Sequence, residues 1–210
     1  MLKNYKKLNS GVICQETIVN KIQEYDTTYV DDRYNSYGEK GMQMAFLRLG
    51  TMIGNIGKMP KSILDIGYGN GDFLTACKTV IPDCNGNDIS NYPVPAGCKF
   101  IEDIHSRHFD VICFFDALEH FESIDFIKNL NCDYIYISLP WCHYISDDWF
   151  KSWKHRRQDE HLWHFNDTSL VNFFNDNGYE SMLITNIEDS IRTPIDPMQN
   201  ILTGIFKKIK

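Results

Sequence analysis

No stretch of eighteen consecutive apolar residues occurs among the 210, so nothing in the sequence reads as a membrane-spanning helix. The opening Met1-Leu2-Lys3-Asn4-Tyr5-Lys6-Lys7 runs into polar residues rather than an apolar h-region, and no signal peptide is expected. Paired cysteine spacing is missing too. Seven cysteines stand at 14, 77, 84, 98, 113, 132 and 142, with no C-x-x-C among them. An odd, scattered set suits buried free thiols in a reducing compartment better than a disulfide or zinc framework, so the cytoplasm is the expected location. Positive charge is scarce: 21 Lys and Arg against 28 Asp and Glu give a net charge of −7. A chain that neutralises many phosphates carries a basic stripe. The one dense basic cluster here is Lys151, Lys154, His155, Arg156 and Arg157, followed at once by Asp159 and Glu160. It reads first as a solvated helix face. Extended nucleic-acid binding and membrane partners are not expected; a small anionic substrate remains open.

What is present is an alternation of strand-like and helical segments from Ser62 to Lys207, the pattern of an α/β sheet. Strands are predicted at 62–66, 85–89, 99–104, 109–115, 134–139, 179–187 and 201–209. The run Phe109-Asp110-Val111-Ile112-Cys113-Phe114-Phe115 is nearly all apolar, as a central parallel strand buried on both faces should be. Helices are predicted at 71–79 and 169–177, the second opened by Asn166, Asp167 or Thr168 and closed by Gly178. Ahead of the sheet, Met42, Ala45, Phe46, Leu49, Met52, Ile53 and Ile56 fall at helical spacing, and Gly57 and Pro60 end that helix. The expected organisation is a lid and helical extension over 1–60 and a core over 61–210. That core carries a Trp- and His-rich insertion at 141–166.

The chemistry starts at Asp65-Ile66-Gly67-Tyr68-Gly69-Asn70-Gly71-Asp72, where a strand enters a G-x-G-x-G turn that opens a helix. Glycines let the backbone turn sharply and approach a ligand with no Cβ in the way. The dinucleotide fingerprint has a further glycine where Asp72 stands, and an acidic residue there would repel a pyrophosphate. Asp88, Asp103 and Asp116 then follow the second, third and fourth strands, so with Asp65 four carboxylates ring the carboxyl ends of the sheet. Asp88 is placed to accept hydrogen bonds from the ribose hydroxyls of an adenosine, and Asp103 to meet the adenine amino group. Each aspartate taken singly also reads as a helix cap or turn residue.

In these residues the sequence resembles the class I S-adenosylmethionine-dependent methyltransferases, over roughly Ile63 to Lys207. The glycine turn with Asp65, Gly67, Gly69 and Gly71 is the most specific part. The resemblance assigns the ribose to Asp88, with Ile89 beside the adenine, and the adenine-binding pair to Asp103 and Ile104. Asp116-Ala117-Leu118-Glu119-His120 is similar to the D-x-L-E-H segment of the small-molecule branch. The implied fold is a single doubly wound α/β domain with a mostly parallel seven-stranded sheet. Its strand order is 3-2-1-4-5-7-6, with strand 7 antiparallel. Implied ligands are S-adenosylmethionine as cofactor, S-adenosylhomocysteine as product, and a small-molecule acceptor. Tyr68, Asp116, Ala117 and Tyr37 join the cofactor-binding set, and Tyr29, Arg33, Tyr34 and Tyr37 belong to a lid over the donor. The DNA-modifying branches are disfavoured, because neither D/N-P-P-Y/F nor a Pro-Cys nucleophile follows the fourth strand.

The segment Trp141 to Phe165 holds all four tryptophans and four of the seven histidines. Its aromatics either enclose the acceptor or form a satellite core of their own. His161 is the first candidate base for removing the acceptor's proton, followed by His120 and His164. No metal is expected, since the sulfonium donor is already activated. The expected activity is methyl transfer to an O, N or C atom of a small metabolite. Competing readings are a non-catalytic adenosine-binding module, a methyltransferase acting on protein or RNA, and a nicotinamide-dependent oxidoreductase.

Overall fold

The computed structural model describes residues 2–20, 24–35, 38–194 and 197–209, with the side chains of 33–35 outside that description. An antiparallel hairpin that no sequence pattern announces, Tyr5–Lys7 (β1) with Ile13–Gln15 (β2), comes first. Two helices follow, Thr27–Asn35 (α1) and Glu39–Ile56 (α2). Helix α2 stops at Gly57, whose left-handed backbone (φ 72°) lets its N–H close on the Ile53 carbonyl at 3.0 Å. Met44, Ala45, Leu49, Met52 and Ile56 form its buried face. Phe46 departs from the expected stripe: it is 51% exposed, because the core lies under the i, i+3, i+4 set that begins at Met44 and Ala45.

The sheet itself is made of Ser62–Ile66 (β3), Asp83–Asn87 (β4), Lys99–Phe100 (β5), Phe109–Phe115 (β6) and Cys132–Pro140 (β7). Asp72–Lys78 (α3) links β3 to β4. Asp147–Ser152 (α4), Trp163–His164 (β8) and Asp167–Asp176 (α5) come next, before Tyr179–Thr185 (β9) and Ile201–Lys208 (β10). Sheet order is β5-β4-β3-β6-β7-β10-β9, which is the expected 3-2-1-4-5-7-6. All pairs are parallel up to β7, and β10 runs antiparallel to both β7 and β9.

Two sequence expectations are corrected. The third strand, expected over 99–104, is only two residues long, because the chain turns at Asp103, whose carbonyl accepts from Ser106 N at 3.1 Å and whose Oδ1 accepts from His105 N at 2.8 Å. The second strand begins at Asp83 rather than Asn85; its polar Asn85 is tolerated because Nδ2 donates to the Ile63 carbonyl at 3.0 Å inside the sheet.

Strand β6 shows why the sheet is central. Phe109, Ile112 and Phe114 join the cluster that includes Leu170 and Phe174 of α5, while Val111, Cys113 and Phe115 join the one that includes α2 and α3. Burying each such side chain contributes about 1.5–3 kcal/mol. A third, smaller cluster of Tyr5, Ile13, Cys142 and Phe150 lies apart, where β2 pairs with β8 through Ile13↔His164 and Cys14↔Trp163. Among the described residues no helix is long and apolar enough to cross a membrane.

Candidate active site

The carboxyl ends of β3, β4 and β6 open into a cavity of about 840 Å³. On one side is the glycine turn. Gly67 and Gly71 hold φ of 77° and 79°. A Cβ on Gly67 would stand 2.8 Å from that of Ala117, and one on Gly71 would run into Pro95. Asp88 fixes this turn from β4's end: its Oδ2 accepts the Gly69 N–H at 2.9 Å, and its Oδ1 accepts Ser90 N at 2.8 Å. Gly67, Tyr68, Gly69, Asp88 and Ile89 all line the cavity; Ile89 is 75% exposed. So does Asp65, whose side chain is buried with Oδ1 lacking any hydrogen-bond partner among the described residues. Burial pushes its carboxyl up to about 7, against the opposing charge of Arg48.

The other wall is an ion-pair lattice. Asp116 adopts a left-handed backbone (φ 50°) after β6. Its carboxylate accepts from both terminal nitrogens of Arg192, at 2.6 and 3.1 Å. Burial alone would raise that carboxyl, but the Arg192 pairing with Arg48 close by holds it well below the usual carboxylate range. Arg48 itself forks onto fully buried Glu188, at 2.8 and 2.9 Å, and stacks 4.1 Å above the Phe115 ring. Arg48, Arg192 and Tyr25 all line the cavity, and sequence reasoning named none of them. Arg48 did carry a signal: it sits midway between Met44 and Met52 on α2's apolar face, where a charge needs a partner.

Among the histidines, His120 and His161 line the cavity with rings 4.6 Å apart, nearly perpendicular. His120 Nδ1 meets the Tyr25 hydroxyl at 2.8 Å. His161 is 4% exposed, its Nδ1 has no partner among the described residues, and burial drives its pKa down to about 2. His164 is elsewhere. It packs at 5.0 Å from Phe150, 5.8 Å from Trp153 and 5.9 Å from Tyr5, and does not line the cavity.

Two of the tryptophans follow His164. Trp149 and Trp153 stack at 5.3 Å beside Phe150, and no tryptophan lines the cavity. Phe150, Trp149 and Trp153 form a satellite core, while Phe165, Trp141 and Trp163 pack with the main cluster of the sheet. The insertion's polar residues Lys154, His155, Arg157 and His161 face the cavity. Asp103 is exposed, and neither it nor Ile104 lines the cavity. Asp116, Ala117 and Tyr29 do, Gly71 does not, and Tyr37 lies outside the described residues.

A family profile described as "Methyltransferase domain" matches residues 34–183. Solved structures share the fold at low identity. Magnesium protoporphyrin IX methyltransferase from Synechocystis PCC 6803 with bound S-adenosylhomocysteine aligns at TM-score 0.57 and 15% identity, over 87% of this chain and 100% of that one. The plantazolicin methyltransferase BpumL in complex with S-adenosylhomocysteine aligns at 0.58 and 18%, over 87% and 90%. DhpI, also in complex with S-adenosylhomocysteine, aligns at 0.59 and 11%, over 88% and 96%. No curated protein matches the sequence. With the glycine turn, the Asp88 clasp and the seven-stranded order in place, the chain belongs to the class I S-adenosylmethionine-dependent methyltransferases.

Proposed function

We propose that the chain methylates a small-molecule acceptor bound in this cavity, in the cytoplasm. The observation that carries this reading is that one cavity of about 840 Å³ is bordered by both the glycine turn and the His120–His161 pair. That volume falls within the roughly 300–1,000 Å³ of small-molecule sites.

The residues fit the donor. Buried Asp65 Oδ1 lacks a hydrogen-bond donor among the described residues, which an ammonium or hydroxyl supplies, and Gly67 leaves no room for a side chain. Asp88 takes the ribose hydroxyls with Ile89 beside the base, and the backbone from Gly67 to Asn70 with Tyr68, Asp116 and Ala117 completes the cradle. The donor supplies an activated methyl on a sulfonium. The chain supplies alignment and exclusion of water. Burial keeps His161 neutral at every working pH, so it serves as a hydrogen-bonding or ligand atom toward the acceptor rather than as a strong base. His164 is left to the aromatic cluster. Seven free thiols support a reducing compartment.

Incubation with methyl-labelled S-adenosylmethionine and fractionated cell extract tests this. Label should enter the small-molecule fraction and S-adenosylhomocysteine should accumulate. Label confined to protein or RNA would reject the acceptor class. Donor at 100-fold over its Kd should add about 2.7 kcal/mol of stability, and NAD none. Stabilisation by NAD alone would reject the donor.

A further inference from the structure

Glu119 is the least explained residue of the wall. It is 1% exposed, and neither carboxylate oxygen has a hydrogen-bond partner among the described residues. A buried carboxylate in that condition is costly unless a proton or a cation meets it. The charges around it are already engaged: Arg192 grips Asp116 and touches Glu188, and Arg157 pairs with Glu160 at 2.7 Å. A second buried group lies beside it. Among the described residues His161 Nδ1 is also buried without a partner. Ligand atoms of Glu119, His120 and His161 lie within 4.8 Å of one another.

The backbone explains how residues far apart in sequence meet. Glu119 and His120 lie on the single 3₁₀ turn Leu118–His120 that follows β6. The Leu162 N–H donates to the Glu119 carbonyl at 2.7 Å, and the His161 N–H to Arg157 at 2.9 Å. The first bond locks the insertion onto the turn and the second closes a turn within the insertion, which sets His161 against His120. The placement is built, not accidental crowding of surface acids.

We propose that Glu119, His120 and His161 bind one divalent first-row transition ion of the zinc type at the wall of the cavity. Two imidazoles and one carboxylate are a donor set such ions accept with a position left open. Bonds of about 2.1 Å in a tetrahedral arrangement put ligand atoms about 3.4 Å apart, so a contraction of roughly an ångström closes the site. Tyr25, on His120 Nδ1 at 2.8 Å, is the outer partner that orients the ring. His120 and His161 line the cavity and Glu119 does not, so the open position faces the acceptor. The ion gives the buried carboxylate its missing counter-charge. This inference rests on the wall's geometry and stands whatever the acceptor is.

Untagged full-length chain, stripped with a chelator and dialysed, is titrated with Zn²⁺ and with Co²⁺. Metal content by plasma spectrometry and the visible Co²⁺ spectrum are the readouts. About one equivalent should remain after gel filtration. Glu119→Gln and His161→Ala should each weaken binding by about 100-fold or more, and Tyr25→Phe by about 10-fold, the scale of an outer-partner loss. His143→Ala, a histidine bonded instead to the Gln199 carbonyl, should bind as the wild type does. Should His161→Ala fail to fold, the near-isosteric Glu119→Gln and its Co²⁺ spectrum decide alone. Uptake below about a tenth of an equivalent, or affinity within threefold of wild type in Glu119→Gln, overturns the site and leaves Glu119 a protonated acid. Methyl transfer surviving that result would leave the proposed function intact.

Discussion

The two walls of the cavity are assembled over different lengths of chain. On the glycine-turn side, Gly69 and Asp88 meet across 19 residues. On the opposite wall, Arg192 reaches Asp116 across 76 residues and Arg48 reaches Glu188 across 140. The first wall is a local motif whose backbone conformation is specified by its own glycines. The second exists only once the sheet, α2 and the loop after β9 have come together. Ligand binding on the first side should therefore tolerate damage to the rest, while the second should fail with the fold.

The largest effect that could break this contrast lies in the aromatic cluster beside the second wall. Phe150 is fully buried, 5.1 Å from Tyr5 and 5.0 Å from His164. Phe150→Ala should cost about 3–5 kcal/mol in urea unfolding, with S-adenosylhomocysteine affinity of the folded fraction within a few-fold of wild type. Lost donor affinity without lost stability would place the cluster in the site.

A smaller effect sharpens it through pH. Asp65 lies in β3 and Asp116 follows the neighbouring β6, yet they are perturbed in opposite directions. Burial raises Asp65 from 3.8 to about 7, so its contribution to stability is complete below about pH 4 and is lost as pH rises through 7. At 1.36 kcal/mol per unit, wild type should lose on the order of 4 kcal/mol relative to Asp65→Asn between pH 4 and pH 7.5. Asp116 is lowered in spite of burial, because Arg192 and Arg48 hold it ionised; its contribution is present above pH 4 and vanishes only in acid. Unfolding free energies across that range, for wild type and Asp65→Asn, check the sign. Parallel curves would mean that Asp65 is ionised in the native state.

The same contrast explains what the sequence made legible. Strand β6 was readable to the residue, because six of its seven positions are apolar and buried between the two faces of the sheet. The turn at Gly67–Gly71 was readable because only glycine fits its conformations. The hairpin β1–β2 was not: its strands are three residues each, and their partner β8 is two residues long and some 150 positions away. Nor was the role of the tryptophans, since aromatic content alone does not say which cavity, if any, the rings face. The Glu119–His120–His161 cluster escaped for a related reason. Glu119 and His120 were visible as a motif, but their approach to His161 depends on the Leu162–Glu119 backbone bond.

The smallest expected effect separates two aspartates that look alike in the sequence. Asp88 and Asp103 both follow strands of the glycine-turn half, and both suit adenosine recognition by spacing. In the fold only Asp88 borders the cavity; Asp103 is exposed and spends Oδ1 on the His105 N–H at 2.8 Å. Asp88→Ala should weaken S-adenosylhomocysteine binding by about 1.5–3 kcal/mol, the worth of hydrogen bonds to a charged acceptor. Part of that loss would come through the turn, since Asp88 Oδ2 also holds Gly69 N–H at 2.9 Å. Asp88→Asn keeps an oxygen for Gly69 while removing the charge, so calorimetry on both variants divides the loss between ligand contact and turn. Asp103→Ala should leave affinity within about twofold. A contact from Asp103 to the adenine amino group would instead cost about 0.5–1.5 kcal/mol, a several-fold loss calorimetry resolves. That outcome would mean the segment after β5 swings inward when the donor binds, and the first wall would then extend one strand further than its backbone alone specifies.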